Sequence, residues 1–303
     1  MKAKSSASRG DRSAAPRTGQ RRTSGSAPAR PARRASKGGA KKKKDEAVLT
    51  IDIGNSHASI GVFEGESLAA QFRLSSGVTR TGDELIPMLS HLLGSHRDAL
   101  SRSKRAVIAS VVPSLTEAYF DVVWKILGIR PILVGAGMLR GLRLDVPDPD
   151  SVGADRMANA VAAAELHGSP SVTVDLGTTT NFDVVLPGPR YVGGAIAPGL
   201  VSSAEELFRR GARLPKVEIR RPERALGRTT TECLQSGVYF GAVGQIDGLV
   251  RRIVAEIPGD PIVIATGGLA ETIAKDSETI DVFAPALTLH GLRIIEERAH
   301  ADR

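Results

Sequence analysis

Two short segments constrain this chain more than any other feature: Asp52-Ile53-Gly54-Asn55-Ser56 and Asp175-Leu176-Gly177-Thr178-Thr179-Thr180. Each lies between apolar runs: 47–53 and 58–63 flank the first, and 171–176 and 182–186 flank the second. These runs read as buried strands joined by tight turns. An acid at the end of a buried strand is able to reach a cation. A glycine in the turn admits positive φ and close approach of backbone to a ligand. The Asn, Ser and Thr that follow offer N–H groups and hydroxyls to phosphate oxygens. One D-x-G turn is also an ordinary hairpin. Two at equivalent points of two half-chains are what a nucleotide clamped between related lobes needs. Neither G-x-x-x-x-G-K-[ST] nor G-x-G-x-x-G occurs, so a bound nucleotide would depend on these turns.

The remaining pattern supports a duplication. A strand over 68–74 completes a first three-strand meander. A helix at 83–93 carries Leu85, Ile86, Leu89, Leu92 and Leu93 at helical spacing. A strand at 106–112, a helix at 114–127 opened by a Ser114 cap and a strand at 131–134 follow. The second half runs through strands at 171–176, 182–186 and 191–197, a helix at 198–209 and a long or broken helix at 229–257. A strand at 262–266, a helix at 270–275, a strand at 279–283 and a closing helix at 287–298 end it. The expected organisation is α/β: a basic tail over 1–46, an N-terminal lobe over 47–160 and a C-terminal lobe over 161–303.

Composition bounds the function. Residues 1–44 hold 15 Lys and Arg against one acid, Asp11, about +14, whereas the whole chain is +8; the body is therefore near −6. Residues 1–46 have almost nothing to bury and are expected to be disordered. Nucleic-acid contact is expected, if at all, only through this tail, by phosphate neutralisation. Cys233 is the only cysteine, which excludes an intrachain disulfide and suits a reducing compartment. No apolar run approaches the roughly 20 residues that span a bilayer. The expectation is a cytoplasmic protein with no membrane contact.

Between the halves, Ser151-Val152-Gly153-Ala154-Asp155-Arg156-Met157-Ala158-Asn159 opens an Ala-rich helix running to about His167. Asp155 reads equally as a helix cap or a catalytic acid. Arg156 is unfavourable beside the positive end of a helix unless it faces an anion, such as a substrate carboxylate. Gly193-Gly194 through Gly199 reads as tight strand–helix packing or as ligand contact. Thr266-Gly267-Gly268 would let an adenine lie against backbone. Of the six histidines only His57 lies beside a candidate phosphate turn, and no pair has metal-ligand spacing. The chemistry indicated is phosphoryl transfer.

Taken together, DIGNS (52–56), GADR (153–156), VDLGTTTNFD (174–183), GGAIAPG (193–199), GRTTTECLQSG (227–237), ATGGLA (265–270) and LTLHGL (287–292) resemble the type III pantothenate kinases over about residues 48–298. The resemblance implies two ribonuclease H-like lobes of the actin-like ATPase superfamily, assembled as a homodimer. It implies transfer of phosphate from ATP to pantothenate, the first step of coenzyme A biosynthesis, with Mg²⁺ and with K⁺ or NH₄⁺. Asp52, Ile53, Gly54, Asn55, Ser56, His57, Ala58 and Ser59, with Thr178, would bind ATP. Gly153, Ala154, Asp155, Arg156 and Thr230 would bind pantothenate, with Asp155 the general base on its hydroxyl. Asp175 would hold the monovalent cation.

Five positions depart from the family pattern. Ser56 replaces a usual Thr, and Thr179-Thr180-Asn181 replace Ala-Thr-Thr. Val146 stands where many members place a Tyr that contacts pantothenate, and Thr229 replaces an Asn. They bear on affinity, since all three acids are retained.

A non-catalytic regulatory accessory protein on the same fold is the alternative reading, opposed by the retention of Asp52, Asp155 and Asp175. A sugar kinase of the superfamily would require the GADR match to be accidental. Deleting residues 1–46 is expected to leave turnover unchanged in a steady-state assay; a large loss would give the tail a catalytic role.

Overall fold

A computed structural model describes residues 47–77, 79–211 and 213–301; the expected basic tail lies outside the described residues. In chain order, β1 (Ala47–Ile53), β2 (His57–Glu64) and β3 (Ser67–Ser75) form a meander. They are followed by α1 (Gly82–Leu92), α2 (Arg97–Ser103), β4 (Arg105–Ser110), α3 (Pro113–Leu127) and β5 (Ile132–Leu133). Then come β6 (Arg143–Leu144) and α4 (Ala154–Ala162). A second meander is made by β7 (Ser171–Leu176), β8 (Thr179–Leu186) and β9 (Arg190–Pro198). The chain continues through α5 (Leu200–Arg210), α6 (Thr230–Glu256), β10 (Ile262–Thr266), α7 (Ala270–Ala274), β11 (Val282–Phe283) and α8 (Leu287–Ala301).

The duplication is visible in strand order. The first sheet runs β3-β2-β1-β4-β5, and the second runs β9-β8-β7-β10-β11 with β6 added beside β9. β1 pairs antiparallel with β2 and parallel with β4; β7 does the same with β8 and β10. Asp52 and Asp175 occupy the same place, one residue before the end of the central strand.

Alternation along those strands decides where the acids point. In β1, Leu49, Ile51 and Ile53 pack with Leu85 and Leu89 of α1 and Leu115, Tyr119 and Val122 of α3. Val48 faces the other way, into a core made with Met157, Ala158 and Val161 of α4 and Leu289, Leu292 and Ile295 of α8. Asp52 shares the parity of Val48. In β7, Val172 and Val174 pack against Tyr239, Val243 and Ile246 of α6, which leaves Ser171, Thr173 and Asp175 on the opposite face. Both acids therefore face the layer that α4 and α8 form.

That layer is thin because its helices cross on small residues. A Cβ added at Gly291 of α8 would sit far inside contact distance of the Ala158 carbonyl of α4. α8 is also tied to the first sheet: Arg105 Nε of β4 donates to Glu296 Oε2 at 2.7 Å, and both side chains are buried.

Local differences from the sequence reading have plain causes. α3 opens with Pro113 in its first turn after Val112, not with a Ser114 cap, because proline's fixed φ suits that position. α6 is one unbroken helix of 27 residues, capped by the Thr229 hydroxyl, which accepts from the Glu232 N–H at 3.2 Å. The strands expected at 131–134 and 279–283 shrink to two residues each. The short elements α2 and β6 lack the periodicity that would announce them.

Gly291→Ala is expected to destabilise the protein by about 2 kcal/mol or more, lowering the melting temperature by about 5 °C. An unchanged thermal transition would contradict the close α4–α8 crossing.

Candidate active site

The shared layer opens at one end into a cleft of about 500 Å³. Its lining includes both Asp-Gly turns, the first turn of α4, Thr266–Gly268 and the start of α8, and Asp52, Asp155 and Asp175 all face it. The two turns are built alike. Gly54 N–H donates to the His57 carbonyl at 3.0 Å, and Gly177 N–H donates to the Thr179 carbonyl at 2.9 Å. They meet across the cleft, where the Ser56 and Thr178 hydroxyls are 2.8 Å apart. The Ser76 hydroxyl closes on the Gly54 carbonyl behind the first turn, and Ser202 Oγ donates to the Thr178 carbonyl at 2.9 Å behind the second. Gly267 adopts φ +94°, and a Cβ there would lie 2.6 Å from Asp175 Oδ1. Only glycine lets this backbone pass so close to the acid.

Three carboxylates in one cleft repel each other. Asp52 has its pKa raised well above the ordinary carboxylate range, first by burial and then by the charges of Asp155 and Asp175. Asp175 is pushed up to about 6 by burial and then by Asp155, against the opposing hydrogen bond from Asn159 Nδ2 at 2.9 Å. Thr288 Oγ1 of α8 donates to Asn159 Oδ1 at 2.8 Å, so the amide is held from both sides. Such acids are poised to receive a cation. Among the described residues, no group of three or more His, Cys, Asp or Glu is placed to hold a metal ion unaided. The donors fit an ion shared with a ligand: Mg²⁺ characteristically takes one or two carboxylates and completes its shell with phosphate oxygens and water.

The structure places the other sequence-predicted residues as follows. Gly54, Asn55, Ser56, His57, Ser59 and Thr178 line the cleft. Ile53 and Ala58 are fully buried in the core of the first sheet. Gly153 is the N-cap of α4, and a Cβ on it would press 2.5 Å from Asp155 Oδ1, so glycine makes room for that carboxylate. Ala154 is buried. Asp155 lies inside the first turn and is not the cap; its Oδ1 accepts from the Arg156 backbone N–H at 2.8 Å. Arg156 faces an anion supplied by the protein itself, with Nε and Nη2 each 2.8 Å from Asp183 Oδ1. Thr230 is exposed at the start of α6, outside this cleft.

Gly194 and Gly199 resolve toward packing, since a Cβ on either would collide with backbone of Phe182 or of the second turn. Gly268 instead faces Arg73, whose Nη1 would be 3.0 Å from an added Cβ.

Sequence reasoning missed Arg73, Asn159, Asp183 and Thr288. Asn159 had a signal: it lies four residues after Asp155, on the same helical face, in a run of alanines. Asp183 had one too, as an acid inside an otherwise apolar strand. Burial pushes it up to about 7, against the neighbouring charge of Arg156. Burial alone would lower the Arg156 guanidinium, but Asp183 and then Tyr191 raise it overall, so it stays charged.

Matched five-strand sheets, paired Asp-Gly turns and a carboxylate-lined cleft define a two-sheet α/β protein. An activator of the 2-hydroxyisocaproyl-CoA dehydratase from Clostridium difficile with bound ADPNP superposes with a TM-score of 0.52 at 13% identity, covering 84% of this chain and 97% of that one. A Campylobacter jejuni protein titled as a Baf family transcriptional activator gives 0.53 at 19% identity, covering 84% and 99%. Likeness at such identity shows the fold alone. The family model for type III pantothenate kinase matches residues 48–252. A type III pantothenate kinase of Moorella thermoacetica is 42% identical over 254 residues, 83% of this chain and 99% of that relative. The chain belongs to the type III pantothenate kinase family.

An acid whose folded-state pKa exceeds its unfolded value binds its proton more tightly when folded. The stability it contributes is complete below the unfolded value and lost as pH rises through the folded one. For Asp175, a rise from 3.8 to about 6 corresponds to about 3 kcal/mol at most. The melting temperature of the ligand-free protein is therefore expected to fall between about pH 4 and pH 7. Asp175→Asn should flatten that fall and raise the melting temperature at pH 8; a steeper fall in the variant would contradict the assignment.

Proposed function

We infer that this chain is a pantothenate kinase that transfers the γ-phosphoryl group of ATP to the primary hydroxyl of pantothenate, committing it to coenzyme A biosynthesis. The observation that carries the reading is the convergence of Asp52, Asp155 and Asp175 on one cleft between the paired turns, in a chain of this family. The regulatory alternative receives no support from the family match.

Phosphoryl transfer asks the protein for positioning and charge neutralisation more than for covalent help. We assign the first turn, Asp52 to Ser59, and Thr178 to the nucleotide, through turn N–H groups and the Ser56 and Thr178 hydroxyls. A divalent metal is required, and when bound it neutralises charge on the phosphates. Asp52 is the carboxylate proposed to orient it, and Asp175 the one proposed for K⁺ or NH₄⁺. Asp155 is assigned as general base: it takes the proton of the acceptor hydroxyl as that oxygen bonds to phosphorus and the bond to the ADP oxygen breaks. Gly153, Ala154 and Arg156 are assigned to the acceptor, with the guanidinium nitrogen that Asp183 does not engage offered to its carboxylate.

A homodimer and a cytoplasmic location belong to the same proposal. The side chain of Leu226, 79% exposed, and the exposed Leu207 on α5 support a covered surface beside α6. Thr230 lies outside the chain's own cleft, so we keep it as an acceptor contact only within such an assembly. Among the described residues no helix is long and apolar enough to cross a membrane.

Purified protein is expected to form phosphopantothenate from ATP and pantothenate in K⁺ and to lose most activity in Na⁺. Asp155→Asn should lower kcat by about 10²–10⁴-fold with a small change in KM for ATP. Folded protein that binds ATP and makes no phosphopantothenate in K⁺ would overturn the reading.

A further inference from the structure

We propose that Asp183 is a positioning residue, buried behind the cleft on β8, that holds the Arg156 guanidinium in the orientation that grips the acceptor's carboxylate. The proposal rests on the acceptor role given to Arg156 above.

A carboxylate with no solvent exposure in the middle of a strand is costly to bury unless its charge is matched. In the sheet Asp183 faces Thr173 across the β7–β8 ladder. Were its task to bind the sheet together, its two oxygens would share the donors nearby. Instead, the donors recorded for Asp183 all converge on Oδ1: Arg156 Nε at 2.8 Å, Arg156 Nη2 at 2.8 Å and the Tyr191 hydroxyl at 2.9 Å. Oδ2 is buried without a partner, and so is the Thr173 hydroxyl opposite. Two of the three donors belong to Arg156, and the third is the Tyr191 hydroxyl beneath its guanidinium.

Its effect is carried by two routes, and of the two neighbours it acts through, Asp155 lines the cleft and Arg156 does not. The guanidinium lies over the Tyr191 ring, 5.9 Å from its centroid, and is only 16% exposed, so it presents one narrow edge outward. With Nε and Nη2 committed to Asp183, Nη1 makes no recorded hydrogen bond among the described residues and is the group left for a ligand. The same arginine gives its backbone N–H to Asp155 Oδ1 at 2.8 Å, so the side chain that Asp183 anchors belongs to the residue that steadies the proposed base. Tyr191 completes the anchor: it is fully buried, and β9 brings its hydroxyl under β8.

The test is steady-state kinetics on the full chain for wild type, Arg156→Gln, Asp183→Asn, Tyr191→Phe and the Arg156→Gln/Asp183→Asn double variant. Folding of each is checked by circular dichroism. Losing a charged hydrogen bond is expected to raise the pantothenate KM about 10-fold or more in Asp183→Asn, with the ATP KM within about twofold of wild type. Tyr191→Phe, which removes one neutral donor and keeps the packing, should raise the pantothenate KM about threefold and decides the matter where Asp183→Asn is poorly folded. The double variant should be no worse than Arg156→Gln alone, because Asp183 acts through Arg156. Folded Asp183→Asn and Tyr191→Phe with wild-type pantothenate KM, or a double variant whose losses multiply, would overturn the proposal. An Arg156→Gln variant with unchanged pantothenate KM would instead remove the acceptor role of Arg156, on which the proposal stands.

Discussion

Asp52 and Asp175 each end the central strand of a sheet, on the face turned toward α4, and Asp155 begins that helix. The alternation of side chains along β1 and β7 leaves no other arrangement once Leu49, Ile51 and Ile53 are committed to one core and Val172 and Val174 to another. Three carboxylates are thereby gathered at the end of a thin helical layer, and burial with mutual repulsion holds two of them well above their ordinary pKa. The rest of the structure makes that arrangement tolerable. Asn159 and Thr288 brace Asp175, glycines at 153 and 267 clear space beside the carboxylates, and the α4–α8 crossing on Ala158 and Gly291 keeps the layer narrow.

This crowding explains why the ligand-free cleft is better suited to binding than to stability. A fold optimised for stability would separate the acids or pair each with a base. Here the counter-charge is left for the cation and nucleotide that the reaction brings. Of the two arginines close by, Arg73 lines the cleft, and Arg156 is committed to Asp183 on β8. A resting salt bridge inside the cleft would have to be broken before the ligand could enter.

Much of this was legible in the sequence, for identifiable reasons. Asp52-x-Gly54 and Asp175-x-Gly177 stand out because an apolar strand ends in an acid and a glycine, a local pattern that needs no tertiary knowledge. The repeat of that pattern announced two halves built from the same succession of elements, while the order of strands within each sheet came from the structure. The partner of Arg156 was not legible, because Asp183 lies 27 residues away on another element, and only the sheet register brings them together. The role of α8 was equally hidden: its Gly291 and Thr288 matter through contacts with α4, more than a hundred residues earlier. Thr229 shows the reverse case, where a departure from the family pattern serves as an ordinary helix cap.

The central claim is that the cleft acids hold protons that a cation and nucleotide displace. Calorimetry of Mg²⁺–ATP binding near pH 6, repeated in buffers of different ionisation enthalpy, measures that exchange directly. The account predicts that wild-type protein releases more protons per ATP bound than an Asp52→Asn variant that still binds ATP. Equal release from the two proteins would contradict it.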